Sequence, residues 1–441
     1  MAVAPSQLHF HALPLLLDRG PMMLCYSRRR SCGTVVMLAF AVAPAALASP
    51  VARAAIDLDF ATVVELSVKG GDVVLAERGV DEARAELVGA DVWLTENPNV
   101  EVVAGPRATV ENTFIPEAGA ELSVPLEVYG QRGLRVDAAS REVAARQALV
   151  ADARRRVGGE ALMAYLESLY TRELRVLAEE RASVAAELLK ATQLKRKAGD
   201  VGDVDVSLIA LEDARARRAT INAASEHERA VAHLRLVLLL DPVEPINLKE
   251  NLQAAVARFR GGESPAPTPP VERPDVVAAA LSAEAARAGL AAEERAAWPV
   301  AALGLGYEHE EGEHVGLIGL TIPIGLFQRN QGGVAVAQAR IALRDAERSL
   351  LQQRVTTELS TASRRLTAAR AGLDILEESA TPRIDEGVEL SRRAYSLGER
   401  SLTDVLVVQR ETLDAKHDVQ EARLELGIAG VESLVATGVL Q

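Results

Sequence analysis

Two stretches of this chain alternate apolar and polar residues at every second position, and each leads into a much longer stretch with helical period. In the first, Leu122, Val124, Leu126 and Val128 are separated by Ser123, Pro125 and Glu127. In the second, Ile318, Leu320, Ile322 and Ile324 share one face, while Gly319, Thr321 and Pro323 share the other. Just upstream, Leu303, Leu305 and Tyr307 alternate with glycines. Alternation of this kind predicts strands with one apolar face. Farther on, Val355, Leu359, Ala362, Leu366, Ala369, Leu373 and Leu376 step by 4, 3, 4, 3, 4 and 3 residues, a heptad seam with charged residues on the other faces.

Read along the chain, the pattern predicts a helix from Phe60 to about Leu94, broken by Asn97-Pro98-Asn99. Strands follow at Val100 to Ala104 and Leu122 to Val128, then helices from about Leu134 to Ala198 and Val204 to Leu240, the last stopped by Asp241-Pro242. Gly261 to Pro274 holds five prolines and two glycines and reads as a linker. A short helix at Asp275 to Arg295, strands at Val300 to Tyr307 and Val315 to Phe327, and helices at about Val334 to Leu397 and Ser401 to Ala436 complete the order.

That order is one unit repeated about 199 residues apart. Ser123-Val124-Pro125-Leu126 matches Thr321-Ile322-Pro323-Ile324, Gly199 matches Gly398, and Asp205 matches Asp404. Internal repetition sets the architecture. The expected domains are a signal peptide at 1–48, a first repeat at 55–242, a Pro/Gly-rich linker at 243–275 and a second repeat at 276–441. A helix of about 64 residues is roughly 95 Å long. No compact domain needs that length, but a conduit across a periplasm does.

The amino terminus places the chain in an envelope. Arg28-Arg29-Arg30, the apolar run Val35 to Leu47 and the small residues Ala46-Leu47-Ala48 have the order of a secretory signal with cleavage near Ala48. Met22 or Met23 would serve as its start. Both cysteines, Cys25 and Cys32, fall inside that segment, so the mature chain needs no disulfide. Cleavage removes a net +3 and changes the formal charge from -13 to -16. That balance excludes a nucleic-acid footprint, which requires clustered basic surface.

A strand with one apolar face fits a soluble sheet and a lipid-facing barrel equally well. The signal peptide and the attached long helices favour the barrel. Open sheet edges are not viable in lipid, and four strands are too few to close, so several chains must share one barrel; three would supply twelve strands.

The run from Tyr395 to Gln409 (YSLGERSLTDVLVVQ) resembles the helical-hairpin tip of the TolC family of outer-membrane efflux proteins. The run from Ile322 to Gly332 (IPIGLFQRNQG) resembles the family's strand-to-helix junction, and its Arg-Asn-Gln-Gly is similar to the CzcC-like branch of heavy-metal exporters. The resemblance covers nearly all of the mature chain. It departs from the family in lacking the lipidated amino-terminal cysteine of some relatives and in a longer, more acidic first tip, Gly199 to Asp205. It implies a mostly α fold with a small membrane β-barrel: a homotrimer forming a twelve-stranded barrel in outer-membrane lipid and an α-helical periplasmic tunnel. It implies a passive exit duct, partnered by a periplasmic membrane-fusion adaptor and an inner-membrane pump of the RND type, with metal cations as cargo. The adaptor would dock at the tip glycines Gly199 and Gly398. Tyr395 and Arg400 would contact Asp205 of the neighbouring hairpin and hold the tunnel shut, with Asp404 in an acidic ring at the constriction. The bare alternatives are a helix-ending glycine for the tips and a solvated helix-start residue for Asp404.

No P-loop, GxSxG, HExxH or CxxC occurs. No cofactor, catalytic residue or enzymatic activity is expected. The one metal-like run is Glu308 to His314, where His309 and His314 are candidate ligands, with a solvated acidic turn as the plain alternative. A multidrug or type I secretion duct, and more remotely a periplasmic adaptor or structural coiled coil, are the competing functions. An adaptor would carry one helical hairpin, whereas two are predicted here.

Overall fold

The computed structural model describes residues 55–108, 114–261, 272–310, 312–397 and 399–440; the predicted signal segment and residue Gly398 lie outside the described residues. The elements run β1 (Ile56–Leu58), α1 (Phe60–Ser67), α2 (Gly71–Ala90), β2 (Asn99–Ala108), β3 (Phe114–Leu126), α3 (Gln131–Ala198) and α4 (Asp203–Val237). They continue with β4 (Ile246–Leu248), α5 (Leu252–Arg260), α6 (Pro274–Ala296), β5 (Ala301–Glu310), β6 (Glu313–Thr321), α7 (Gln331–Ser379), α8 (Thr381–Ser396) and α9 (Leu402–Thr437).

The predicted order of strand pairs and helical hairpins is present twice, and α3, at 68 residues, spans about 100 Å. Several boundaries differ from the sequence reading: β2 runs on to Ala108 and β3 starts as early as Phe114, beyond the expected Ala104 and Leu122, and four further differences have a clear cause or consequence. The single helix expected from Phe60 to Leu94 is two, because the backbone turns at Gly70. A Cβ there would lie 2.5 Å from Val157 Cγ1 of α3, so only glycine permits this approach. The helix expected from Val334 to Leu397 is divided at Ala380 into α7 and α8. Pro382 has no N–H to give to the turn before it, and this interrupts the ladder. The strand expected to reach Phe327 ends at Thr321, before Pro323. The segment 243–275, read as linker, contains β4 and α5.

These last two elements build the waist of the chain. β1 and β4 pair in parallel, Ile56 with Ile246 and Leu58 with Leu248. The Asn251 side chain caps α5 by accepting from Ala254 N at 2.7 Å. Leu252, Ala255, Val256 and Phe259, spaced for one face, are buried in the main core. Tyr165 of α3 is wholly enclosed there, and its hydroxyl donates to Leu58 O at 3.3 Å. The heptad seam of α7 turns inward as expected: Val355, Ala362, Leu366 and Leu373 are buried.

The carboxyl end of α9 is held by two buried arginines. Arg155 Nη1 donates to Val435 O at 2.8 Å and Arg273 Nη1 to Ala436 O at 3.2 Å, cations set where the helix dipole is negative. Their charges are met by Asp152 at 2.6 Å from Arg155, and by Asp275 at 2.6 Å and Glu358 at 2.9 Å from Arg273. Burial alone would push the Asp275 carboxyl up, but the paired Arg273 outweighs it and holds the group below its ordinary value.

Candidate functional site

Two regions carry the features that matter, the four-stranded sheet and the two hairpin tips. In the sheet the order is β2-β3-β5-β6, antiparallel throughout, which leaves β2 and β6 as edges. The pairing register sorts the side chains into faces. Val100, Leu122, Leu305 and Ile318 form one cross-strand row, and Val124, Leu303 and Leu320 another on the same face. Of these, Val100, Ile318 and Leu320 are exposed by 63%, 82% and 64%, far more apolar surface than a water-facing sheet tolerates. The opposite face carries rows of a different kind: Glu101, Glu121, Gly306 and Leu317, then Val103, Gly119, Glu308 and Val315. Arg107 pairs there with Glu117 at 3.1 Å and also with Glu310. One face thus suits hydrocarbon and the other suits water, with negative charge in excess.

At the first tip, α3 ends because Gly199 adopts φ +90, where a side chain would be strained. Gly199 N donates to Arg196 O at 3.1 Å and Asp200 N to Lys195 O at 2.9 Å, so two terminal carbonyls of α3 are satisfied. The second tip repeats the bond that spans five residues, Glu399 N to Ala394 O at 2.9 Å. α4 then starts with Asp205 reaching back, its Oδ2 accepting from Gly202 N at 3.1 Å. Gly202 has no side chain, so only this half of a capping box exists. At the start of α9 both halves are present: Asp404 Oδ2 accepts from Ser401 N, and Ser401 Oγ from Asp404 N, each at 3.2 Å. The Ser401 hydroxyl and amide, with some help from the Arg400 charge, hold the Asp404 carboxyl below its ordinary value.

Asp205 and Asp404 therefore do the same local job one repeat apart. Within the chain the structure does not bring Asp205 to Tyr395 or Arg400. Tyr395 is 5% exposed and packs with Leu188, Ile209, Leu402 and Val405, which closes the two hairpins against each other. Its hydroxyl meets Thr192 Oγ1 at 3.1 Å. Lys195 Nζ donates to Tyr395 O at 2.8 Å and lies 4.0 Å from the ring centroid. Arg400 and Asp404 stay exposed beside a groove that also includes Leu390, Arg393, Leu397 and Val408.

Four tip residues, Thr192, Lys195, Arg196 and Asp203, had no role in the sequence reading. Thr192 and Lys195 lie on one helix and their partner on another, 203 and 200 positions away. Arg196 and Asp203 make a bidentate pair at 2.6 and 3.0 Å across the first tip. The only visible signal was the basic last turn of α3, Lys195-Arg196-Lys197. Among the described residues no group of three or more His, Cys, Asp or Glu is placed to hold a metal ion.

Comparison with known proteins agrees with this geometry. The family model "Outer membrane efflux protein" matches residues 271–434. The cobalt-zinc-cadmium resistance protein CzcC of Cupriavidus metallidurans is 25% identical over 374 residues, covering 82% of this chain and 84% of that one. The nickel-cobalt-cadmium resistance protein NccC of Alcaligenes xylosoxydans xylosoxydans is 27% identical over 291 residues, 60% of each chain. Among solved structures, CusC superposes with a TM-score of 0.71 at 16% identity, covering 87% of this chain and 92% of that chain. The CmeC outer membrane channel of Campylobacter jejuni superposes with a TM-score of 0.69 at 17% identity, covering 86% and 85%. Fold and relatives coincide: residues 271–434 match the outer membrane efflux protein family, and the chain as a whole is similar to outer-membrane efflux proteins of the TolC type, CzcC among them.

Proposed function

We propose that three copies of this chain close a twelve-stranded barrel in the outer membrane and continue it as a helical tunnel into the periplasm, forming the exit duct of a tripartite metal-efflux system. The observation that carries this reading is the sheet: an exposed apolar face on four strands whose two edges, β2 and β6, are unpaired. In lipid each unpaired edge group costs several kcal/mol, so edges must meet edges. In an all-antiparallel order, β6 runs opposite to β2 of the next copy, and three copies close without a mismatch. The long helices then leave the barrel together and reach toward an inner-membrane partner.

The duct moves its cargo passively. A pump, of the RND type by family likeness, supplies the energy, and a periplasmic adaptor engages the hairpin tips around Gly199 and Gly398. Metal cations as cargo are supported by what the relatives CzcC and NccC are named for. The glutamate rows on the inner face agree with this, because a ring of carboxylates concentrates cations and repels anions. In the assembled tunnel Asp205, Tyr395, Arg400 and Asp404 form the periplasmic gate: the exposed Arg400 engages Asp205 of a neighbouring hairpin, while the enclosed Tyr395 braces the tip behind it.

The test is a deletion strain grown across graded zinc, cobalt, cadmium, nickel and copper, with dyes and antibiotics alongside. Sensitivity to metals alone, restored by the wild-type chain, is the expected result. Sensitivity to drugs alone overturns the metal assignment and moves the duct to multidrug efflux or secretion. Mass measurement of the detergent-extracted particle tests the trimer, and a soluble monomer would refute it.

A further inference from the structure

The mechanism leaves one cluster unused, at the loop end of the β5–β6 hairpin. His309 and His314 are cross-strand partners, and their rings stack with centroids 4.8 Å apart. They belong to the row Ala104, Ala118, His309, His314 on the apolar face, so their neighbours in that row are methyl groups that leave space around the imidazoles. His314 is exposed and His309 half-buried.

The hydrogen bonds fix the available nitrogen of His309 and allow the same one in His314. His309 Nδ1 lies 3.1 Å from Glu313 O. A carbonyl oxygen only accepts, so Nδ1 carries the proton and the lone pair of the neutral ring sits on Nε2. His314 Nδ1 lies 2.5 Å from the hydroxyl of Tyr307, whose ring also stacks on it at 5.9 Å. When that Nδ1 donates to the phenol oxygen, Nε2 of His314 is bare as well. Both rings are thus anchored through Nδ1, the outer-shell arrangement by which proteins orient metal-binding imidazoles. The surrounding charge is favourable: Glu308, Glu310 and Glu313 occupy the other face of the same hairpin.

We propose that His309 and His314 form a two-imidazole site for a divalent transition-metal ion at the outer rim of the channel, with Nε2 of each ring as ligand and water in the remaining positions. Borderline ions such as Zn²⁺, Ni²⁺ and Cu²⁺ prefer imidazole nitrogen, and the harder Mg²⁺ and Ca²⁺ do not. Two protein ligands leave the site open and exchangeable. It is a surface station for metal rather than a structural centre. It goes beyond the duct reading, because it concerns the outside of the barrel and not the path through it.

The experiment titrates the tag-free full chain in detergent with Zn²⁺ alone, beside His309→Gln, His314→Gln and the double variant. The expected result is one more ion per wild-type chain than the double variant retains, and binding weakened by at least about tenfold in each single variant. With Cu²⁺ as probe, the wild-type chain should give an electron paramagnetic spectrum of two coupled imidazole nitrogens, falling to one in either single variant. Tyr307→Phe keeps both ligands, so the two-nitrogen spectrum should persist with weaker binding. Equal Zn²⁺ retention by the wild-type chain and the double variant would overturn the proposal, as would a wild-type Cu²⁺ spectrum without two nitrogens. The pair would then only stack with Tyr307. The wild-type spectrum decides even if a variant fails to fold. Binding by the purified chain is independent of export, so this result and the growth test can fail separately.

Discussion

Lys195→Met tests whether the second hairpin tip is held by α3. The substitution keeps an unbranched apolar stem and removes the charge. Two interactions go: the hydrogen bond from Nζ to Tyr395 O at 2.8 Å, and the cation over the Tyr395 ring at 4.0 Å. A hydrogen bond involving a charged group contributes about 1.5–3 kcal/mol, and an exposed cation–π contact about 0.5–1. Part of this is lost to solvent at a half-buried site, and one ammonium makes both contacts, so they do not add. About 2 kcal/mol is the working figure, equivalent to roughly thirtyfold in the local opening equilibrium. Amide hydrogen exchange reads that equilibrium directly when reclosing is fast. Exchange across the last two turns of α8 should accelerate by about that factor, and the waist around Tyr165 should not change. Lys190→Met, on an exposed part of the same helix, is the control. If α8 exchanges alike in both variants, Lys195 does not hold the second tip.

Three further outcomes are expected. In Gly430→Ala the new Cβ would sit 2.4 Å from Phe259 Cδ1; overpacking should cost about 1–3 kcal/mol, offset by about 1 kcal/mol of helix propensity, with a lower Tm that Phe259→Leu partly restores. Ile318→Arg puts charge on the apolar face and should cost about 2–4 kcal/mol of membrane stability, whereas Leu317→Arg on the other face should be tolerated; equal loss in a folding titration would refute the face assignment. The folded values of Asp404 and Asp203 lie below the ordinary 3.8, set by Ser401 and Arg196 respectively. Their stabilisation is therefore complete above that value and lost as pH falls through the lower folded one, so both tips should loosen below about pH 4. Labelling of Thr403→Cys by a thiol dye should report this at the second tip, and of Val201→Cys at the first, with Asp404→Asn abolishing the pH dependence at the second tip alone.

The sequence by itself determined the repeat, the order of its strand pairs and long helices, and the two faces of the sheet strands. Those are properties of short windows: period two, period three-to-four, and turn residues such as Gly199 whose backbone angle excludes other side chains. It also placed helix starts at about Val204 and Ser401, because the signals that start a helix act within its own first turn. Only the tertiary structure decided the rest. β1 and β4 are three residues each and 190 positions apart, too short to show a period. The partners of Tyr395 and of the buried Arg155 and Arg273 lie on other helices, chosen by packing. The two histidines were visible as residues near a turn, but that both Nδ1 atoms are engaged and both Nε2 atoms can be bare follows from strand register. Local pattern is written in neighbours along the chain; contacts between helices and strands exist only once the chain has chosen how its long elements lie side by side.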